Sequence, residues 1–150
     1  MTSSKEQLAR RVACDHDCLL EQLRSLDNCL ENIFYYGEVC SDLRGFGNLR
    51  NRCLELRKTL LAHIPEGEKM FAEAPNDQEV CRLLPELVED HRALVRVLDQ
   101  TLTSLEALQN GSLLPEDLFG LQERVRELSA ALQRHIHTVN LHILARMEAT

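Results

Sequence analysis

The feature that most constrains this chain is an apolar residue every three or four positions, held over four stretches of about 30 residues, each with a histidine on the leucine stripe. The first stretch runs Leu8, Val12, His16, Leu19, Leu23, Leu26, Leu30, Ile33, and the second Leu49, Cys53, Leu56, Leu60, His63, Gly67, Met70. The third runs Leu84, Leu87, His91, Leu94, Leu98, Leu105, Leu108, and the fourth Leu121, Val125, Leu128, Leu132, His135, Val139, His142. That period puts the stripe on one face of an α-helix, whereas a strand needs alternation. With 28 Leu against eight Val and four Ile, and no Trp, the residue balance suits helices and starves a β-sheet. The fold class expected is all-α.

Punctuation divides the stripes. Ser3 with Glu6 forms a capping-box pattern ahead of the first, and Gly37 is a natural stop. The start of the second is blurred between Ser41 and Asn48 by Gly45 and Gly47, and it ends before Pro75. Asn76 with Glu79 caps the third, which carries Pro85 as a possible kink and ends at Gly111, and Pro115 suits the first turn of the fourth. Four helices of about 40 Å joined by short links pack most simply as an up-down-up-down antiparallel four-helix bundle, one domain over residues 1–150. The second stripe superposes on the fourth at an offset of 72, matching His63 with His135, and the first on the third at 75, matching His16 with His91. The chain reads as a duplicated hairpin.

A net charge of −7, with no cluster of four or more Lys/Arg, argues against nucleic acid or an anionic membrane as partner. The polar start MTSSKEQLARR and the short apolar runs predict neither export nor a membrane span, so a cytoplasmic location is expected. Six Cys without a CxxC pair then read as reduced thiols.

The histidines carry the chemistry. His16 and His91 lie about 12 to 14 residues from the starts of their helices, and His63 and His135 about 11 to 14 from the ends of theirs, so antiparallel packing brings all four to one layer. One such histidine is ordinarily a hydrogen-bonded core residue. Four at one level leave several ring nitrogens unpaired, at about 1–3 kcal/mol each, a cost that a metal ion or a cofactor iron removes by taking the lone pairs. His142, about 10 Å further along the fourth helix, is either a ligand for a cofactor spanning two layers or a water-facing residue. His137 falls off the stripe and is expected in solvent. Cys14 and Cys18 bracket His16, which invites a redox or metal role, although cysteine is more often a small core residue. Tyr35 and Tyr36 lie at the far end of their helix from the histidines.

The stretches DHDCLLEQLRSL (15–26), LLAHIPEGEKMF (60–71), EDHRALVRVLDQ (89–100) and LQRHIHTVNLHIL (132–144) resemble the four ligand-bearing helices of hemerythrin-like, or HHE, domains, over nearly the whole chain. The resemblance implies a bundle whose helices each supply histidine to non-haem iron, and a function in binding dioxygen or another small ligand or in sensing oxygen, nitric oxide or redox state. It implies His16, His63, His91 and His135 as ligands. The family's two bridging carboxylates follow the second- and fourth-helix histidines by one turn, where this chain has Gly67 and Val139. Because imidazoles alone supply no charge against two irons, a conventional carboxylate-bridged di-iron centre is not expected.

Three substitutes are open. A bulge at Pro65 would bring Glu68 to the place of Gly67, Glu66 would reach the site without one, or the cofactor is different. In the last case Gly67 and Val139 border an apolar slot for a haem, such as haem b, or four imidazoles hold a single ion. The expected function is binding of a diatomic gas, oxygen or nitric oxide, or redox sensing at such iron. The alternatives are an iron-dependent peroxide or oxygen enzyme, with Glu66 or Glu68 as the nearby acid/base group, and an interaction module without metal. A homodimer or protein partner is compatible with all three.

Overall fold

The computed structural model describes residues 4–35, 44–74, 76–110 and 115–148. They form four long helices, α1 (Ser4–Tyr35), α2 (Arg44–Glu73), α3 (Gln78–Asn110) and α4 (Pro115–Val139), and α4 runs on through a π-helical turn, Asn140–Leu144, into a last turn α5 (Ala145–Glu148). No strand occurs among the described residues. Ser3, Gly37, Ser41, Pro75 and Gly111, proposed as caps, stops or boundaries, lie outside them, as does Tyr36.

Two local expectations are corrected. The cap of α3 is Asp77, whose Oδ1 accepts the backbone N–H of Glu79 at 2.8 Å. Asn76, one residue too early to reach that amide, accepts the Cys81 thiol instead. The backbone hydrogen bond is the main reason the Asp77 carboxyl is held below its ordinary pKa. Pro65 produces no bulge: α2 stays α-helical through it. The proline deprives the Leu61 carbonyl of its donor, but Leu61 is 41% exposed, so water can satisfy that oxygen and nothing forces the helix out of register. The register shift occurs in α4, in the π turn after Val139.

The leucine stripes meet in two apolar clusters. The larger draws on all four long helices, among them Leu23 and Leu26 of α1, Leu56 of α2, Leu98 of α3 and Leu128 of α4. The smaller holds Leu8, Val12, Met70, Leu87, Val139 and Ile143. Between them in sequence, on every long helix, stands one buried histidine. Side-chain pairs join neighbouring helices: Arg50–Glu106 and Arg57–Asp99 link α2 with α3, and Arg124 of α4 reaches Ser104 and Gln100 of α3. Among the described residues no helix is long and apolar enough to cross a membrane.

Leu98 is fully buried and Leu61 is not, which separates their expected mutational costs. Leu98→Ala is expected to lower unfolding free energy by about 2–5 kcal/mol, and Leu61→Ala by less than about 0.5 kcal/mol, in urea titrations followed by circular dichroism. Equal costs would mean that the apolar faces are assigned wrongly.

Candidate metal centre

The four stripe histidines are almost wholly enclosed, with His16 and His91 1% exposed, His63 2% and His135 3%. Their rings form a chain of contacts. Centroids stand 5.0 Å apart for His16–His63, 5.7 Å for His63–His91 and 4.7 Å for His91–His135, and Phe71 stacks on the outer side of His91. One ring nitrogen from each of His63, His91 and His135 lies within 4.8 Å of the others.

Each imidazole meets a partner supplied by the preceding helix, and the contacts close into a circuit. Asp15 of α1 takes His63 of α2, with Oδ2 3.1 Å from Nδ1. Glu68 of α2 places Oε1 3.5 Å from Nδ1 of His91 on α3. Asp90 of α3 takes His135 of α4, Oδ2 to Nδ1 at 3.0 Å. Asn140, at the start of the π turn, takes His16 of α1, Oδ1 to Nδ1 at 2.9 Å. An ionised carboxylate and an amide oxygen only accept, so in His16, His63 and His135 Nδ1 carries the proton and Nε2 is left with its lone pair. The Nε2 atoms of His16, His91 and His135 are buried with no hydrogen-bond partner, and so is Nδ1 of His91, which Glu68 approaches without closing a hydrogen bond.

Three orphaned lone pairs in a dry layer would cost about 1–3 kcal/mol each if nothing took them up. This donor set fits a transition-metal cation, with neutral imidazoles facing inward and their second nitrogens anchored by acceptors. Three nitrogens each about 2.1 Å from one tetrahedral ion stand about 3.4 Å apart, so the widest pair of rings must close by up to about 1.4 Å. Burial is the main cause of depressed imidazole pKa values: His16 is lowered to about 4, His91 to about 4 and His135 to about 3. Asp90 is pushed above the ordinary carboxylate value, mainly by burial.

The remaining candidates fall elsewhere. Gly67 does not border an open slot, because a Cβ there would stand 3.3 Å from Cε1 of His91 and 3.4 Å from Nε2 of His63. The imidazoles occupy that room. Val139 packs in the smaller apolar cluster. Glu66 faces outward, 3.9 Å from Arg11, and Glu68 approaches the proton-bearing side of His91 rather than the shared interior. His142 pairs with Glu79 at the start of α3, 3.2 Å away, outside the three-histidine group. His137, Cys14 and Cys18 are exposed, and the side chain of Tyr35 lies outside the described residues.

Asp15, Asp90 and Asn140 are absent from any reading of the stripe. Their signal was the repeat: Asp-His recurs at 15–16 and 90–91, and Glu68 and Asn140 each follow their helix's histidine by five residues. No protein-family model, no curated protein and no solved structure matches this chain.

The depressed imidazoles set the sign of the acid response. The folded state refuses protons that the unfolded chain accepts from about pH 6.5 downward, so their contribution is complete above that value and is lost as the pH falls towards about 4. Urea unfolding of chelator-treated protein at stepped pH is expected to show stability dropping by on the order of 1 kcal/mol per pH unit for each such ring. Stability that rises on acidification through this window would contradict neutral burial.

Proposed function

We propose that this chain is a hemerythrin-like, up-down-up-down helical bundle that holds one non-haem iron ion between His63, His91 and His135, with His16 alongside, and binds a diatomic ligand or responds to redox state there. The observation that carries the reading is the convergence within 4.8 Å of one buried nitrogen from each of three imidazoles, with a carboxylate of a neighbouring helix beside Nδ1 of each ring. The opposed order of Arg50–Glu106 and Arg57–Asp99 between α2 and α3, and of Arg124–Ser104 and His135–Asp90 between α4 and α3, supports the bundle topology.

Imidazole suits iron, copper, nickel and zinc alike, and of these iron has the redox and gas-binding chemistry that the family resemblance implies. When bound, the ion would supply an electron-accepting centre with room for an external ligand. The chain's own residues do the rest: the imidazoles fix its position, the carboxylates of Asp15, Glu68 and Asp90 offset its charge, and the apolar clusters exclude water. The room beside Gly67 is taken by the rings themselves, which favours a bare ion over a porphyrin. The exposed free thiols Cys14, Cys18 and Cys81 suit a reducing compartment such as the cytoplasm.

Metal analysis after anaerobic reconstitution with iron(II) is expected to give one iron per chain and a spectrum without a porphyrin Soret band. At free iron 100-fold above the dissociation constant, thermal or urea unfolding should gain about 2.7 kcal/mol over chelator-treated protein. A chain that takes up no iron, or that is isolated with haem, overturns the proposal.

A further inference from the structure

The circuit of ring partners is not uniform. Three members are carboxylates and the fourth is the amide of Asn140. At the equivalent place in the other hairpin, five residues after its histidine, the acceptor is Glu68. A carboxylate on Nδ1–H makes an imidazole a stronger donor than a neutral amide does. The same division recurs in the geometry. The three carboxylate-backed rings, His63, His91 and His135, are those whose nitrogens converge within 4.8 Å, and the amide-backed His16 is not in that group. Its Nε2 is nevertheless buried and unpartnered, and its ring lies 5.0 Å from that of His63.

Access follows a similar division. One groove, of about 390 Å³, runs between α1 and α4 from Asp27 to Asn140, the residue that holds His16. A second, of about 370 Å³, between α3 and α4, ends on His135 and the Asp90 carboxylate that holds it. The second groove sets Glu86, Asp90 and Glu127 against Arg134 and is net negative, whereas the first balances Asp27 with Arg24 and reaches the neutral amide of Asn140.

We infer that the four imidazoles are unequal: His63, His91 and His135 form the permanent donor set for a transition-metal cation, and His16, backed only by Asn140, is the member that yields to a small incoming ligand from the α1–α4 groove. In the exchange one nitrogen–metal bond breaks and one ligand–metal bond forms, with no change of oxidation state. The inference rests on the metal centre proposed above and assigns its exchangeable corner.

Cobalt(II) titration of the full chain, followed by its visible bands, reads both properties. His63→Ala, His91→Ala and His135→Ala are each expected to weaken cobalt binding more than about 100-fold, beyond the 10–100-fold usual for a change in an outer partner. His16→Ala is expected to cost less than about tenfold and to make the bands respond to added free imidazole at lower concentration than in the wild type. Asn140→Asp, at an exposed position, tests the same point in a chain whose core is untouched. It should tighten cobalt binding and raise the imidazole concentration needed to perturb the bands by about tenfold or more. An equal loss for all four histidine variants, or an Asn140→Asp chain with unchanged imidazole response, overturns the asymmetry. A wild-type chain that binds no cobalt at all defeats the metal centre itself, a separate outcome.

Discussion

The structure depends on one constraint: four imidazoles are held out of water between two apolar clusters, and each must have both ring nitrogens accounted for. Leucine packing supplies the cohesion of the helices, but it is indifferent to sliding by a turn, since the stripes are leucine-rich throughout. The histidine layer is not. A slip of one turn, about 5.4 Å, would move every Nδ1–H away from its acceptor and bury unpaired polar groups in hydrocarbon. The polar layer therefore sets the register that the apolar clusters then consolidate, at some expense in stability.

The acceptors explain why that layer is specific. Each helix contributes an inward donor and a sideways acceptor, one helix's acceptor serving the next helix's donor, from Asp15 to His63, Glu68 to His91, Asp90 to His135 and Asn140 back to His16. No helix completes its own pair. Gly67 fits the same logic, because a side chain there would press on His91 and His63 where the rings approach one another.

Much of this was legible in the sequence, and the rest was hidden for geometric reasons. The helices and the depth of the histidines follow from period, because histidines and leucines lie on the same face. Asp15 and Asp90 sit one residue from a stripe histidine, about 100° around the helix, and Glu68 and Asn140 sit about 140° away. From one helix such positions look like solvated surface. Only the neighbouring helix shows that they are interfaces. Pro65 misled because its unpaired carbonyl lies on an exposed stretch, whereas the actual π turn, in α4, carries no proline at all. Asn76 and Asp77 are equally good caps on paper, and the amide that needed capping decides for Asp77.

The repeat offsets make the circuit two copies of one motif. Each hairpin holds one internal contact and presents one histidine and one acceptor to its twin. A symmetric pair of identical hairpins would satisfy all four contacts with half the genetic information, but it would be obliged to repeat every residue twice. Joining the halves in one chain lifts that obligation. Glu68 and Asn140 are where this chain has used the freedom, setting a carboxylate beside one hairpin's imidazole and a neutral amide beside the other's.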